Sequence, residues 1–181
     1  MSVHIALLRA INVGGHNKVS MSELRDLFGD LGLAGATTLL QSGNVVFQSD
    51  RLTGAALEHQ LEVETAERLK VSVDYLVRSA AEWQKIVARN PFPEEAKNDP
   101  AHLLVMVLKT APPAKKVDAL RAAIEGPEIV RCDGKQLYIV YPAGIGHSKL
   151  TVALIEKKLD SRGTGRNWNT VLKLAALSLK K

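Results

Sequence analysis

Residues 3–8 form an apolar run of strand length, followed at once by the polar stretch Arg9-Ala-Ile-Asn-Val-Gly-Gly-His-Asn-Lys18. Ser20-Met-Ser-Glu23 then has the spacing of a capping box. Its Ser oxygen can accept from the third backbone N–H of a helix while the Glu reaches back. Met21, Leu24, Leu27, Phe28 and Leu31 recur at helical spacing after it. Leu39-Leu40 and Val45-Val46-Phe47 read as two strands around a Gln41-Ser-Gly-Asn44 turn. A helix over 55–70, with Leu57, Leu61, Ala66 and Leu69 inward, leads to a strand over 71–77. The order strand, helix, strand, strand, helix, strand is that of a ferredoxin-like unit.

A second capping box, Ser79-Ala-Ala-Glu82, opens a helix carrying Trp83, Ile86 and Val87, which Asn90-Pro-Phe-Pro ends. Residues 90–100 hold three of the seven prolines and read as a linker. The pattern then restarts with a strand over 102–108 and a helix after Pro112-Pro113. Two strands follow around Asp133-Gly134, and a helix opens at Ser148. Residues 162–166 read as a loop and 168–179 as a final helix. The expected fold is α+β with two ferredoxin-like (βαββαβ-type) subdomains. The first spans 1–90, a Pro-rich linker spans 91–100, and the second spans 101–181. The second is degenerate, its last strand replaced by a C-terminal helix.

Topology turns these elements into a site. In the ferredoxin-like order 4-1-3-2, strands 1 and 3 are neighbours, and strand 1 ends where the hairpin between strands 2 and 3 turns. Arg9, Asn12, Asn17 and Lys18 should therefore lie beside Gln41, Ser42 and Asn44, two remote loops forming one polar surface. Gly14 and Gly15 let the backbone approach a ligand, and the helix start beyond them favours an anion. The same glycines equally suit a plain turn, and the loop matches neither a P-loop nor a dinucleotide fingerprint. A second candidate is Gly144-Ile-Gly-His-Ser148-Lys149, read as a loop entering a helix whose first turn holds Ser148 and Lys149. A third is Arg166-Asn167-Trp168, where Arg offers a donor fork, Asn can cap the helix and Trp can stack or pack.

Charge sharpens the picture. The net charge is +5; residues 1–90 carry 9 Lys/Arg against 10 Asp/Glu, and residues 91–181 carry 15 against 9. Arg162, Arg166, Lys173, Lys180 and Lys181 close the chain with no acid among them. Such a tail suits nucleic acid or another anion. Cys132 is alone, so no internal disulfide forms, as expected in a reducing, cytoplasmic setting. No apolar run approaches membrane length. The five histidines show no metal spacing, although His16 and His147 sit in candidate loops, and no cofactor is indicated.

Arg9-Ala-Ile-Asn-Val-Gly-Gly, Gln41-Ser-Gly-Asn-Val-Val-Phe47, Tyr141-Pro142, Ser148-Lys149-Leu150 and Arg166-Asn-Trp-Asn-Thr-Val-Leu-Lys-Leu174 together resemble the bacterial domain-of-unknown-function 1697 family. The resemblance spans nearly the whole chain. It implies a compact α+β protein with ferredoxin-like subdomains and no established activity. The family often has Arg-Gly-Ile-Asn where this chain has Ala10, and another polar residue where it has His147.

The leading expectation is a small anionic, phosphate-bearing or nucleotide-like ligand at the edge formed by residues 9–18 and 41–44. Nucleic-acid binding through the basic C-terminal region stands second. An enzyme using the same edge stands third, because Arg, Asn, Gln and Ser can stabilise an oxyanion but no base or nucleophile accompanies them. Strands apolar on both faces, such as 3–8, argue against an exposed RNA-binding sheet.

Overall fold

The computed structural model describes residues 1–181. The chain divides into two compact units, Met1–Val87 with Lys173–Lys181, and Ala88–Leu172. In the first, β1 (Ser2–Leu8), α1 (Met21–Asp30), β2 (Ala34–Thr38), β3 (Asn44–Ser49), α2 (Gly54–Leu69) and β4 (Tyr75–Ser79) follow in sequence, and α3 (Ala80–Ala88) continues from β4. The strands make one antiparallel sheet in the order β2-β3-β1-β4. Both expected capping boxes form. Glu23 N–H donates to Ser20 Oγ at 3.1 Å and Ser20 N–H to the Glu23 carboxylate at 3.2 Å. Ser79 and Glu82 do the same at the head of α3. Leu24 and Phe28 of α1 and Leu57 and Leu61 of α2 pack on Ala6, Leu8, Val45, Phe47, Tyr75 and Val77 of the sheet. Ile5 and Leu7, on the opposite face of β1, are equally buried.

Two boundaries differ from expectation. Leu39 and Leu40 lie outside β2, which ends at Thr38, because Leu40 takes a left-handed φ of 62° that no strand continues. Residues 71–74 also precede β4 rather than belonging to it.

The sheet edges are guarded by side chains. Edge strands expose N–H and C=O groups that invite unwanted pairing. On β4, Tyr75 N–H donates to Glu62 at 2.9 Å and Val77 N–H to Glu58 at 2.8 Å. These two acids lie four residues apart, on one face of α2. On β2, a register shift between Ala34 and Thr37 breaks the edge, and the Lys181 ammonium donates to Gly35 O and Thr37 Oγ1.

The second unit repeats this plan. After α4 (Pro93–Asn98) come β5 (Leu103–Leu108), α5 (Ala114–Ala122), β6 (Ile129–Asp133), β7 (Gln136–Val140), α6 (Val152–Leu159) and β8 (Gly163–Asn167). Next is α7 (Trp168–Ser178). The sheet order is β6-β7-β5-β8, again antiparallel. Its core gathers Met106, Leu108, Val117, Leu120, Leu137, Ile139, Ile155 and Leu159.

The expected degenerate ending is corrected here. Residues 163–167 form a full strand paired to β5, and the helix follows it as α3 follows β4. Gly163 and Gly165 read as loop residues, but each is where a neighbour packs closely. A Cβ on Gly163 would sit 2.7 Å from Val107 O, and one on Gly165 2.7 Å from Leu104 Cδ2. Part of the expected linker is also helical, with Pro93 at the start of α4, where its missing N–H goes unneeded. On β8, Gly163 N–H donates to Glu156 of α6 at 3.3 Å, repeating the α2 edge guard.

Candidate functional site

The loop after β1 is a miniature hairpin. Asn12 N–H donates to Asn17 O at 3.1 Å and His16 N–H to Val13 O at 3.1 Å. Gly14 and Gly15, between them, have φ of 58° and 77°, the positive values that a tight primed turn requires. The two loops expected to meet do so. Leu8 N–H donates to Gly43 O at 2.9 Å, and Leu7 pairs with Asn44. Asn12 is the clamp. Its Nδ2 donates to Val19 O at 3.0 Å and to Gln41 O at 2.8 Å, and its Oδ1 accepts from Val19 N–H at 3.0 Å. Gly43 lets the loops close, since a Cβ there would meet Ile11 Cδ1 at 2.6 Å and Leu8 Cβ at 2.9 Å.

The candidate residues consequently divide into scaffold and surface. Asn12 has committed its amide, and Asn17 donates to Ala10 O at 3.3 Å. Asn44 is fully buried and donates to Leu39 O at 2.6 Å and to Ser42 Oγ at 3.1 Å. Arg9 lies at the end of β1 beside Asp74, 3.6 Å from its carboxylate. That leaves Lys18 and Gln41, both exposed, facing an open cleft of about 630 Å³. Asn12, Gly15, Val19, Ser20 and Glu23 complete its lining. Ser20 and Glu23 escaped the sequence reading as site residues because their capping role explained them. The Ser20 hydroxyl and amide hold the Glu23 carboxyl below its ordinary range. Val13 and Leu40 are exposed apolar tips of the two loops, 65% and 52% accessible.

The second candidate changes character. Ser148 and Lys149 precede α6 rather than opening it, because Thr151 takes the N-cap and accepts from Leu154 N–H at 3.2 Å. Ser148 Oγ donates to Glu128 at 2.5 Å and accepts from Leu150 N–H at 3.0 Å. Lys149 pairs with Glu125 at 2.8 Å. Both side chains thus answer to acids, across a smaller cleft of about 290 Å³ that His147 also lines. In the third candidate, Asn167 Oδ1 accepts from Thr170 N–H at 3.1 Å and caps α7, as expected. Arg166 is only 7% accessible and donates to Thr164 Oγ1 at 2.7 Å and Gly165 O at 2.9 Å. Burial lowers its pKa to about 10. Trp168 is buried as well, so its ring packs rather than stacks on a ligand.

No group of His, Cys, Asp and Glu is placed to hold a metal. No helix is long and apolar enough to cross a membrane.

The family model described as "Protein of unknown function (DUF1697)" matches residues 1–138. The chain belongs to that family. The DUF1697 match takes in both clamped loops and, in the second sheet, β5, β6 and the first three residues of β7. No curated protein matches the chain. Among solved structures, this DUF1697 protein is similar to the conserved bacterial protein SP0830 from Streptococcus pneumoniae. The two share a TM-score of 0.75 and 23% identity over 98% of each chain. At that identity the likeness concerns the fold.

Proposed function

We propose that this chain is a cytoplasmic bacterial protein of two ferredoxin-like units that binds a small phosphate-bearing anion. The binding cleft is the one between the β1–α1 loop and the β2–β3 hairpin. One observation carries the reading. The Asn12 clamp binds Val19 and Gln41 together and stands Lys18 and the Gln41 side chain over one open cleft. Lys18 supplies the charge, Gln41 a neutral donor, and the Gly15 backbone permits close approach. The amides of Asn12, Asn17 and Asn44 hold this arrangement through their bonds to loop carbonyls.

Ligand binding to the native state alone stabilises it, by about 1.4 kcal/mol at ten times Kd. Thermal melts of the full chain in inorganic phosphate and in adenosine monophosphate, at constant ionic strength, test this directly. A rise of a few degrees that Lys18→Gln abolishes is the expected result. No rise with either compound, or one that Lys18→Gln leaves intact, overturns it.

A further inference from the structure

The Lys18 cleft holds one acid as well as one base, and the two are kept apart. Lys18 and Glu23 both line it and both are exposed, yet they form no ion pair with each other. The capping box accounts for this. The Ser20 hydroxyl donates to Glu23 Oε2 at 2.8 Å, and Ser20 N–H donates to the same oxygen at 3.2 Å. Ser20 therefore ties the carboxylate to the head of α1, and its hydroxyl holds the carboxyl below the ordinary range. Both bonds fall on Oε2, which leaves Oε1 as an acceptor without a donor. The cleft of the second unit is the opposite case. There Lys149 closes on Glu125 at 2.8 Å, and Ser148 donates to Glu128 at 2.5 Å.

The rest of the lining narrows the ligand further. Asn12 has committed its amide to Val19 and Gln41. The Gln41 side chain, with a donor and an acceptor, complements hydroxyl groups, which are both. Val19 is 4% accessible, and no other aliphatic and no aromatic side chain lines the cleft. A base or an acyl chain therefore finds nothing there to stack on or bury against. A bare phosphate would gain Lys18 and Gln41 but be repelled by Glu23.

We infer that the ligand is a phosphate monoester carrying hydroxyl groups, of the sugar-phosphate class. Its phosphate lies at Lys18 and one of its hydroxyls donates to Glu23 Oε1. The inference rests on the phosphate-binding reading and adds Glu23 as the residue that selects among phosphates. Because Ser20 already fixes the carboxylate, little side-chain freedom is lost when the hydroxyl binds.

Titration of the full chain, followed by backbone amide NMR shifts near neutral pH and at constant ionic strength, tests this. The compounds are inorganic phosphate, ribose 5-phosphate and adenosine monophosphate. Ribose 5-phosphate should bind about tenfold more tightly than inorganic phosphate, through one added hydrogen bond to a charged acceptor. Adenosine monophosphate should bind no more tightly than ribose 5-phosphate. Glu23→Gln keeps the capping pattern, since Gln serves at this position as Glu does. It should weaken ribose 5-phosphate about fivefold. It should leave inorganic phosphate unweakened or about twofold tighter, a like charge having gone. The inference is overturned if ribose 5-phosphate binds no better than inorganic phosphate, a comparison that needs no variant. It is overturned equally if Glu23→Gln changes the two compounds alike, or if adenosine monophosphate binds far more tightly than ribose 5-phosphate. In those cases the phosphate reading stands wherever Lys18→Gln abolishes binding. Silence from all three compounds removes both.

Discussion

The two units share a strand order, a helix after the last strand and an acid guarding that strand's edge, yet they place charge in opposite ways. At one sheet end the first unit sets Arg9 against Asp74 and threads a twelve-residue glycine loop across the opening. At the matching end the second sets Lys109 beside Arg162 and crosses to its helix through Pro112 and Pro113. The backbone scaffold is common to both, while the connecting loops and the residues at the strand ends carry the difference. Chemistry on a shared fold resides in such positions.

The edge guards offer the sharpest way to break the comparison. Glu58 and Arg78 are both buried, 3.7 Å apart, and Glu58 also accepts from Val77 N–H. Burial pushes the Arg78 pKa down, against the pull of Glu58 and then Glu82. Glu58→Ala would leave a buried guanidinium and an edge N–H without this carboxylate, a loss of about 4 kcal/mol in urea unfolding. In the second unit Glu156 makes a longer bond, 3.3 Å, to Gly163 N–H from a half-buried position. Glu156→Ala should therefore cost about 1 kcal/mol. Equal losses from the two variants would show that the guards are not the stabilising difference supposed here.

Gly43 O accepts from Leu8 N–H and Lys135 O from Leu108 N–H, so Gly43 and Lys135 occupy the same place in the two units. A methyl at Gly43 would strike Leu8 and Ile11 at a φ of 81°, so Gly43→Ala should destabilise by about 3 kcal/mol. Lys135→Ala, on an exposed turn, should stay within about 0.5 kcal/mol of the parent. Melting both variants side by side settles whether the tight loop closure belongs to the first unit alone.

Much of this was legible in the residues. The capping boxes, the strand–helix alternation and the meeting of the residue 12 and residue 42 loops all follow from local spacing and a common topology. The strand at Gly163 was not, because close packing against Val107 and Leu104 calls for the residues that elsewhere mark a loop. Nor was the division of the asparagines. Asn12, Asn17 and Asn44 are polar residues in a candidate loop, and only their partners show that their amides hold the loop together.

A pH experiment exploits another matched pair. His4 in β1 lies opposite Phe47 and Ser79, where the second unit has Leu104 opposite Ile139 and Asn167. The His4 ring stacks on Phe47 with centroids 5.7 Å apart, and neither ring nitrogen has a hydrogen-bond partner. Burial lowers its pKa below the ordinary 6.5, opposed by the charge of Glu82. The unfolded chain thus takes up this proton first. Stability from the neutral ring is complete above pH 6.5 and declines as pH falls from there through the lowered value. His4→Leu should remove that acid-side decline and leave stability at pH 8 nearly unchanged. An identical pH profile in the variant would assign the decline to other groups.

The smallest effect tests whether the first unit's loop is strained. Ala10 has φ 55° and is exposed, and its counterpart Thr110 has no positive φ. A left-handed alanine costs about 1 kcal/mol, and glycine returns part of that as extra freedom in the unfolded chain. Ala10→Gly should accordingly stabilise by about 0.5 kcal/mol, while Thr110→Gly should destabilise by a similar amount. Glycine at position 10 would also loosen the residue that accepts from Asn17, so the gain is measured best in the Asn17→Ala background, where that bond is absent. A stabilisation that persists there belongs to the backbone. One that vanishes shows that Ala10 is held left-handed by Asn17, and that the loop's geometry is set by its asparagines rather than by its glycines.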